Sequence, residues 1–140
     1  MASEISDGGA TPHATDYSDL LDKLITFAVS TGDWIVVSDQ LAANGTIYLK
    51  GLDYSGDKNI YVAIRKYANV GTDIYGWALQ GYTGYLNSGF EFNPGAITGN
   101  PPGISLWNDE TPYWFFVNPR RIIMVAKISG VYMALYIGLM

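Results

Sequence analysis

Pro112-Tyr-Trp-Phe-Phe-Val-Asn-Pro-Arg-Arg-Ile-Ile-Met-Val-Ala-Lys-Ile-Ser-Gly-Val-Tyr-Met-Ala-Leu-Tyr-Ile-Gly138 contains three dense apolar runs. The first two flank the polar turn Asn118-Pro119-Arg120-Arg121, and the third follows Ser129-Gly130. Apolar runs separated by turn residues read as successive β-strands, here Tyr113–Val117, Arg121–Ile128 and Val131–Leu139. In the second run Ile122, Met124, Ala126 and Ile128 alternate with Ile123 and Val125, which Arg121 and Lys127 bracket. In the third, Met133, Leu135, Ile137 and Leu139 alternate with Tyr132, Ala134 and Tyr136. Strands apolar on nearly both faces are expected to lie centrally, covered above and below. Past Glu110 only Arg120, Arg121 and Lys127 carry charge, so the part of the chain that makes the core holds no catalytic apparatus.

Upstream, the same period of two recurs. In Asp73–Gly81, Tyr75, Trp77 and Leu79 fall on one side and Gly76, Ala78 and Gln80 on the other. A bulky row opposite a small one suits a strand that another backbone approaches closely. Ile60–Ile64, Thr46–Lys50 after the Asn44-Gly45 turn signal, and Trp34–Val37 are further short strands. Residues 82–111 are rich in Gly and Pro, with short strands expected at Gly89–Phe92 and Ile104–Trp107. Only one segment has helical spacing. Leu20, Leu21, Leu24, Ile25, Phe27 and Ala28 form a single apolar stripe across residues 16–31. Thr15 or Asp16 is placed to cap it, and Gly32 to end it in the left-handed conformation. Residues 1–14, with Gly8-Gly9 and Pro12, show no periodicity and read as a flexible arm. The pattern predicts a mainly β protein, an antiparallel β-sandwich, jelly-roll-like, with one N-terminal amphipathic helix. Residues 15–140 would form its single domain, and a closed antiparallel barrel is the other architecture such strands allow.

Composition narrows the function. Eight basic residues against 13 acidic ones give a net charge of −5, and the only basic pairs are Arg65-Lys66 and Arg120-Arg121. A surface that tracks phosphates needs clustered cations to displace counterions, so no nucleic-acid partner is expected. Without cysteine there is no disulfide, thiol nucleophile or thiolate metal site. The first residues are polar and acidic, so no secretory signal is expected. Ile122–Met140 is apolar but carries Lys127 near its middle, and a charge at mid-bilayer costs roughly 2.5–3.5 kcal/mol. Two strands joined at Ser129-Gly130 are expected in place of a membrane span.

Known catalytic motifs are missing from the sequence, and no cofactor, metal or catalytic residue is expected. His13, the only histidine, has no second metal-ligand type beside it. Asp53, Asp57, Asp73, Asp109 and Glu110 lie in turn contexts, where a glycosidase-type pair such as Asp53 with Asp109 is conceivable but local backbone bonding is the commoner use. Asp53-x-Ser55-x-Asp57 spaces oxygens as a calcium loop does, without its closing Glu. Trp77 and Trp114 lie within strands and read as core. Tyr82, Tyr85 and Trp107 lie in loop-rich sequence and are the candidates for stacking on a sugar. The helix stripe must pack on a sheet or on a neighbouring subunit, which makes Leu20, Leu24 and Phe27 interface candidates. Arg120 and Arg121 read either as a solvated hairpin tip or as an ion-pair site between subunits.

Tyr113 to Gly138, with its YWFxxNxRRIIxVxKxSxxYxxxYxG pattern, resembles a family of virion structural proteins of tailed bacteriophages and prophages. Asp19-Leu-Leu-Asp-Lys-Leu24, Gly32-Asp-Trp34, Asn59-Ile-Tyr-Val-Ala-Ile-Arg65, Ile74-Tyr-Gly-Trp77 and Gly81-Tyr82 follow the order seen in that family. The likeness spans about residues 17–138, although family members often continue past the point where this sequence stops. It implies a non-enzymatic structural component of the tail, baseplate or neck. Such a component would be assembled in the bacterial host cytoplasm, with copies of itself and other virion proteins as partners. A carbohydrate- or host-receptor-binding module is the alternative, with a host surface glycan as its ligand.

Overall fold

The computed structural model describes residues 2–5, 13–54, 60–82 and 103–138. They form two antiparallel sheets around one helix. The first sheet contains β2 (Trp34–Gln40), β3 (Thr46–Gly51), β4 (Ile60–Asn69), β5 (Ile74–Tyr82) and β6 (Gly103–Leu106), in that order. The second contains β1 (Ala2–Ile5), β7 (Tyr113–Asn118), β8 (Arg121–Ile128) and β9 (Val131–Gly138), with β1 beside β7. α1 spans Tyr17–Ser30, and a single turn of helix, α2, spans Leu41–Asn44.

The helix begins and ends where its sequence directs. Asp16 Oδ1 accepts from the Asp19 amide at 2.8 Å, and Asp19 Oδ2 accepts from the Thr15 amide at 2.9 Å. This reciprocal pair satisfies N–H groups that have no partner within the helix. At the other end Gly32 takes a φ of +78°, the left-handed conformation open to glycine at little cost. Two backbone-anchored tryptophans fasten the first turn: the Tyr17 amide donates to the Trp107 carbonyl at 3.1 Å, and Trp77 Nε1 donates to the Tyr17 carbonyl at 3.0 Å. The stripe Leu20, Leu21, Leu24 and Ala28 is fully buried.

Period-two alternation supplies the rest of the core. Ile47 and Leu49 of β3, Val62 and Ile64 of β4, Trp77 of β5 and Ile104 and Leu106 of β6 point inward. They share one apolar cluster with Tyr113, Phe115 and Val117 of β7, Ile122, Met124 and Ala126 of β8, and Leu135 and Ile137 of β9. The helix stripe fills the same interior, with Phe27 stacked on Phe115 at 6.2 Å between ring centroids. Burying a side chain of this size stabilises by about 1.5–3 kcal/mol, so the interior, not the turns, dominates the stability of the fold. The small row of β5 has the use expected of it: a Cβ on Gly76 would collide with the Ile104 carbonyl of β6 and the Tyr67 hydroxyl.

The two antiparallel sheets with one helix are the mainly β, sandwich-like fold expected, and the sheets do not close into a barrel; β2–β6 and β7–β9 run as meanders, whereas β1 joins β7 from five strands away. Two expectations need correction. The arm expected at residues 1–14 is partly structured: Ala2–Ile5 pairs with β7, and buried Ala14 exchanges two backbone hydrogen bonds with Thr111. Residues 6–12 lie outside the described set. A four-residue strand that takes its stability from a neighbour's edge leaves no period in the sequence. Finally, the second row of β8 and β9 is not covered by another layer among the described residues.

Candidate functional site

The turn between β7 and β8 holds the Asn-Pro-Arg-Arg residues. Asn118 Oδ1 accepts from the backbone amides of Arg120 and Arg121 at 2.9 and 3.0 Å, closing the turn from within. The Arg120 side chain then reaches Asp53, 67 positions earlier, in an ion pair through Nε and Oδ1. The Asp53 side chain is fully buried, whereas that of Arg120 is 41% exposed and lies under the Tyr54 ring. Backbone contacts tighten the junction: the Asp53 amide donates to the Pro119 carbonyl at 2.9 Å, and Trp34 Nε1 donates to the Asn118 carbonyl at 2.8 Å. Arg120 therefore serves a clamp between the two sheets of its own chain, which replaces the expected choice between a solvated tip and a pair across subunits.

Arg121 is directed elsewhere. Its guanidinium lies 5.8 Å from the centre of the Tyr136 ring on β9. On the same face Lys127 Nζ is 5.9 Å from the centre of the Tyr132 ring, within cation–π range. Cross-strand register aligns Trp114 with Val125 and Ala134, and Phe116 with Ile123 and Tyr136. Trp114 leans on Tyr132 with ring centroids 5.9 Å apart. Tyr132 is 61% exposed and Tyr136 40%, and Trp114, Phe116, Ile123 and Val125 are half-buried. The outward side of the second sheet is thus an aromatic and aliphatic surface with a cation near each end. Among the described residues of β7, β8 and β9 no carboxylate lies on it, although the whole chain is acidic.

Leu20 and Leu24 are fully buried in the chain's own core and present no surface to a neighbour. The stripe was wide enough for a subunit interface, but the two sheets consume it. Phe27 is half-buried against Phe115. Trp107 is half-buried, and its Nε1 donates to Thr111 Oγ1 at 2.9 Å, so its polar edge is engaged internally. Tyr82 ends β5, while its side chain and all of Tyr85 lie outside the described residues. Trp77 is core, as expected, whereas Trp114 belongs to the outward face.

Asp53 and Asp109 sit at opposite ends of β7, about 20 Å apart at 3.3 Å per residue, too far for a glycosidase pair. Asp109 Oδ1 accepts from the Glu110 amide at 2.7 Å, the local use expected of a turn carboxylate. His13 Nε2 lies 3.7 Å from Glu110 Oε1. Ser55 and Asp57 lie outside the described residues. Among those described, no group of three His, Asp or Glu side chains is placed to hold a metal, and no helix is long and apolar enough to cross a membrane. The Tyr17 pKa is raised by desolvation and further by the Asp16 charge and Tyr75.

The outward face escaped the reading of the sequence because Ile123 and Val125 look like residues awaiting a second layer. The signal was present in the cations that bracket them and in the two tyrosines of the following strand. No protein-family model matches this chain, and no curated protein matches it.

Proposed function

We propose that this chain is a non-enzymatic structural subunit of a tailed-phage particle, held in the tail, baseplate or neck by contacts with copies of itself and with other virion proteins. The observation that carries the reading is the outward face of β7, β8 and β9, where Tyr132 and Tyr136 are exposed beside half-buried Trp114, Phe116, Ile123 and Val125. Contiguous exposed apolar surface on a protein with a complete core marks an interaction surface. Aromatic residues with an interspersed Arg are the composition of an interface centre. The segment whose pattern resembles virion proteins supplies this face as well as the clamp at Asn118 and Arg120.

Proteomics of gradient-purified particles from the host that carries this gene tests the proposal. The chain is expected in particles at a fixed multiple of other tail components; its absence from them ends the reading. A second reading, binding of a host surface glycan, is favoured by the tilted Trp114–Tyr132 pair between Lys127 and Arg121. A saturable change in tryptophan fluorescence with a cell-surface polysaccharide, lost in Trp114→Ala, would support it; a flat response argues against it.

A further inference from the structure

The four strands that border the two sheets differ in how their free edges are protected. β1 and β6 are four residues long each. β2 shifts register between Val36 and Ser38 and then places the exposed Asp39. Short length, bulges and charge are the devices that stop an edge from pairing with another chain. β9 has none of them. Val131-Tyr-Met-Ala-Leu-Tyr-Ile-Gly138 is eight residues long, uncharged and free of proline, and it pairs with β8 without a register shift. Among the described residues β8 is its only sheet neighbour.

We propose that β9 pairs antiparallel with β9 of a second copy of this chain across a two-fold axis, joining two four-stranded sheets into one. A row of main-chain donors and acceptors is matched by another strand, and the sequence of β9 is complementary to itself. With the axis at Ala134, that residue faces its own counterpart, Tyr132 faces Tyr136 of the second copy, Met133 faces Leu135 and Val131 faces Ile137. The outer face then carries aromatic pairs and the inner face aliphatic and thioether pairs, with no charge opposite a charge. Lys127 and Arg121 belong to β8, so the backbones that carry the cations of the two copies lie three strand spacings apart, about 14 Å, against a Debye length of about 8 Å at physiological salt. Their repulsion is therefore weak. The contact is isologous and closes on itself as a dimer.

The inference rests on the reading of this chain as an assembling subunit, and the experiment separates the two. The chain has no cysteine, so Ala134→Cys provides a single thiol. Opposed Cα atoms in an antiparallel pair lie about 4.5–5.5 Å apart, within disulfide range. Mild oxidation should convert Ala134→Cys to a covalent dimer at least about tenfold faster than Val131→Cys, whose counterpart lies six residues away along the paired strands. Ala42→Cys, on exposed α2, is the second control. Sedimentation velocity of Ala134→Lys, with circular dichroism to confirm the fold, should show dimer dissociation strengthened at least about tenfold. Equal cross-linking of the three thiols overturns the proposal, as does fibril formation in place of a discrete dimer. A wild-type oligomer indifferent to Ala134→Lys overturns β9 pairing and leaves the assembly reading standing. A wild-type chain that is monomeric at every concentration contradicts self-assembly through either surface.

Discussion

Removing the Arg120 side chain should cost more than its partly exposed position implies. The Asp53 carboxylate it pairs with is fully buried, while the Arg120 side chain is 41% exposed. Truncating one member of a fully buried pair costs about 3–5 kcal/mol, because the other charge is left without compensation. An exposed pair is worth about 0–1 kcal/mol. With one buried and one half-exposed partner, Arg120→Ala falls between these limits, at about 2–3 kcal/mol, including lost packing against the Tyr54 ring. That is a large part of the stability of a domain of this size, about 5–15 kcal/mol. Urea unfolding followed by tryptophan fluorescence should show a lower midpoint with an unchanged slope, and the melting temperature should drop by roughly 6–12 °C. Asp53→Asn removes the buried charge, so the double variant Asp53→Asn, Arg120→Ala should be destabilised by at least about 1 kcal/mol less than the sum of the single changes. A single Arg120→Ala variant within about 0.5 kcal/mol of wild type, or strictly additive effects, would refute the clamp.

Other perturbations probe different parts of the fold. Trp34→Phe removes the indole donor to the Asn118 carbonyl and opens space in a fully buried site, and should cost about 2–3 kcal/mol in the same unfolding assay. Gly138→Ala should destabilise by about 1–3 kcal/mol, because its φ of +129° is unfavourable to a side chain and the added Cβ would meet the Arg120 carbonyl; thermal melts measure it. The raised pKa of Tyr17 means that the folded state resists ionisation. Its contribution is complete below the unfolded value of about 10 and is lost as pH rises from there toward the folded value, so Tyr17→Phe should unfold less readily than wild type above about pH 10.

Features set by neighbours in sequence were legible. α1 needs only its apolar stripe, the Asp16 cap and Gly32, and the helix expected at 16–31 runs from Tyr17 to Ser30. β8 occupies the expected Arg121–Ile128, and the turn after it follows from Ser129 and Gly130, both at positive φ. Features set by distant partners were not. β1 exists because β7 offers an edge, and Asp53 meets Arg120 across 67 positions. The alternation in β8 and β9 shows that each strand has two apolar rows but not which row a second layer covers. The helix stripe is equally ambiguous, since burial against its own sheets and burial against a neighbour need the same residues. Leu20 and Leu24 turned inward, while Tyr132, which reads as half of a buried strand, faces out.

Amide hydrogen exchange, compared between the dilute chain and intact particles, tests most directly whether this protein is built to be held by its neighbours. If the outward face and the β9 edge are buried on assembly, peptides covering Val131–Gly138 exchange far more slowly in the particle than in the free chain, while those covering α1 change little. Equal exchange of Val131–Gly138 in the two states would contradict the account.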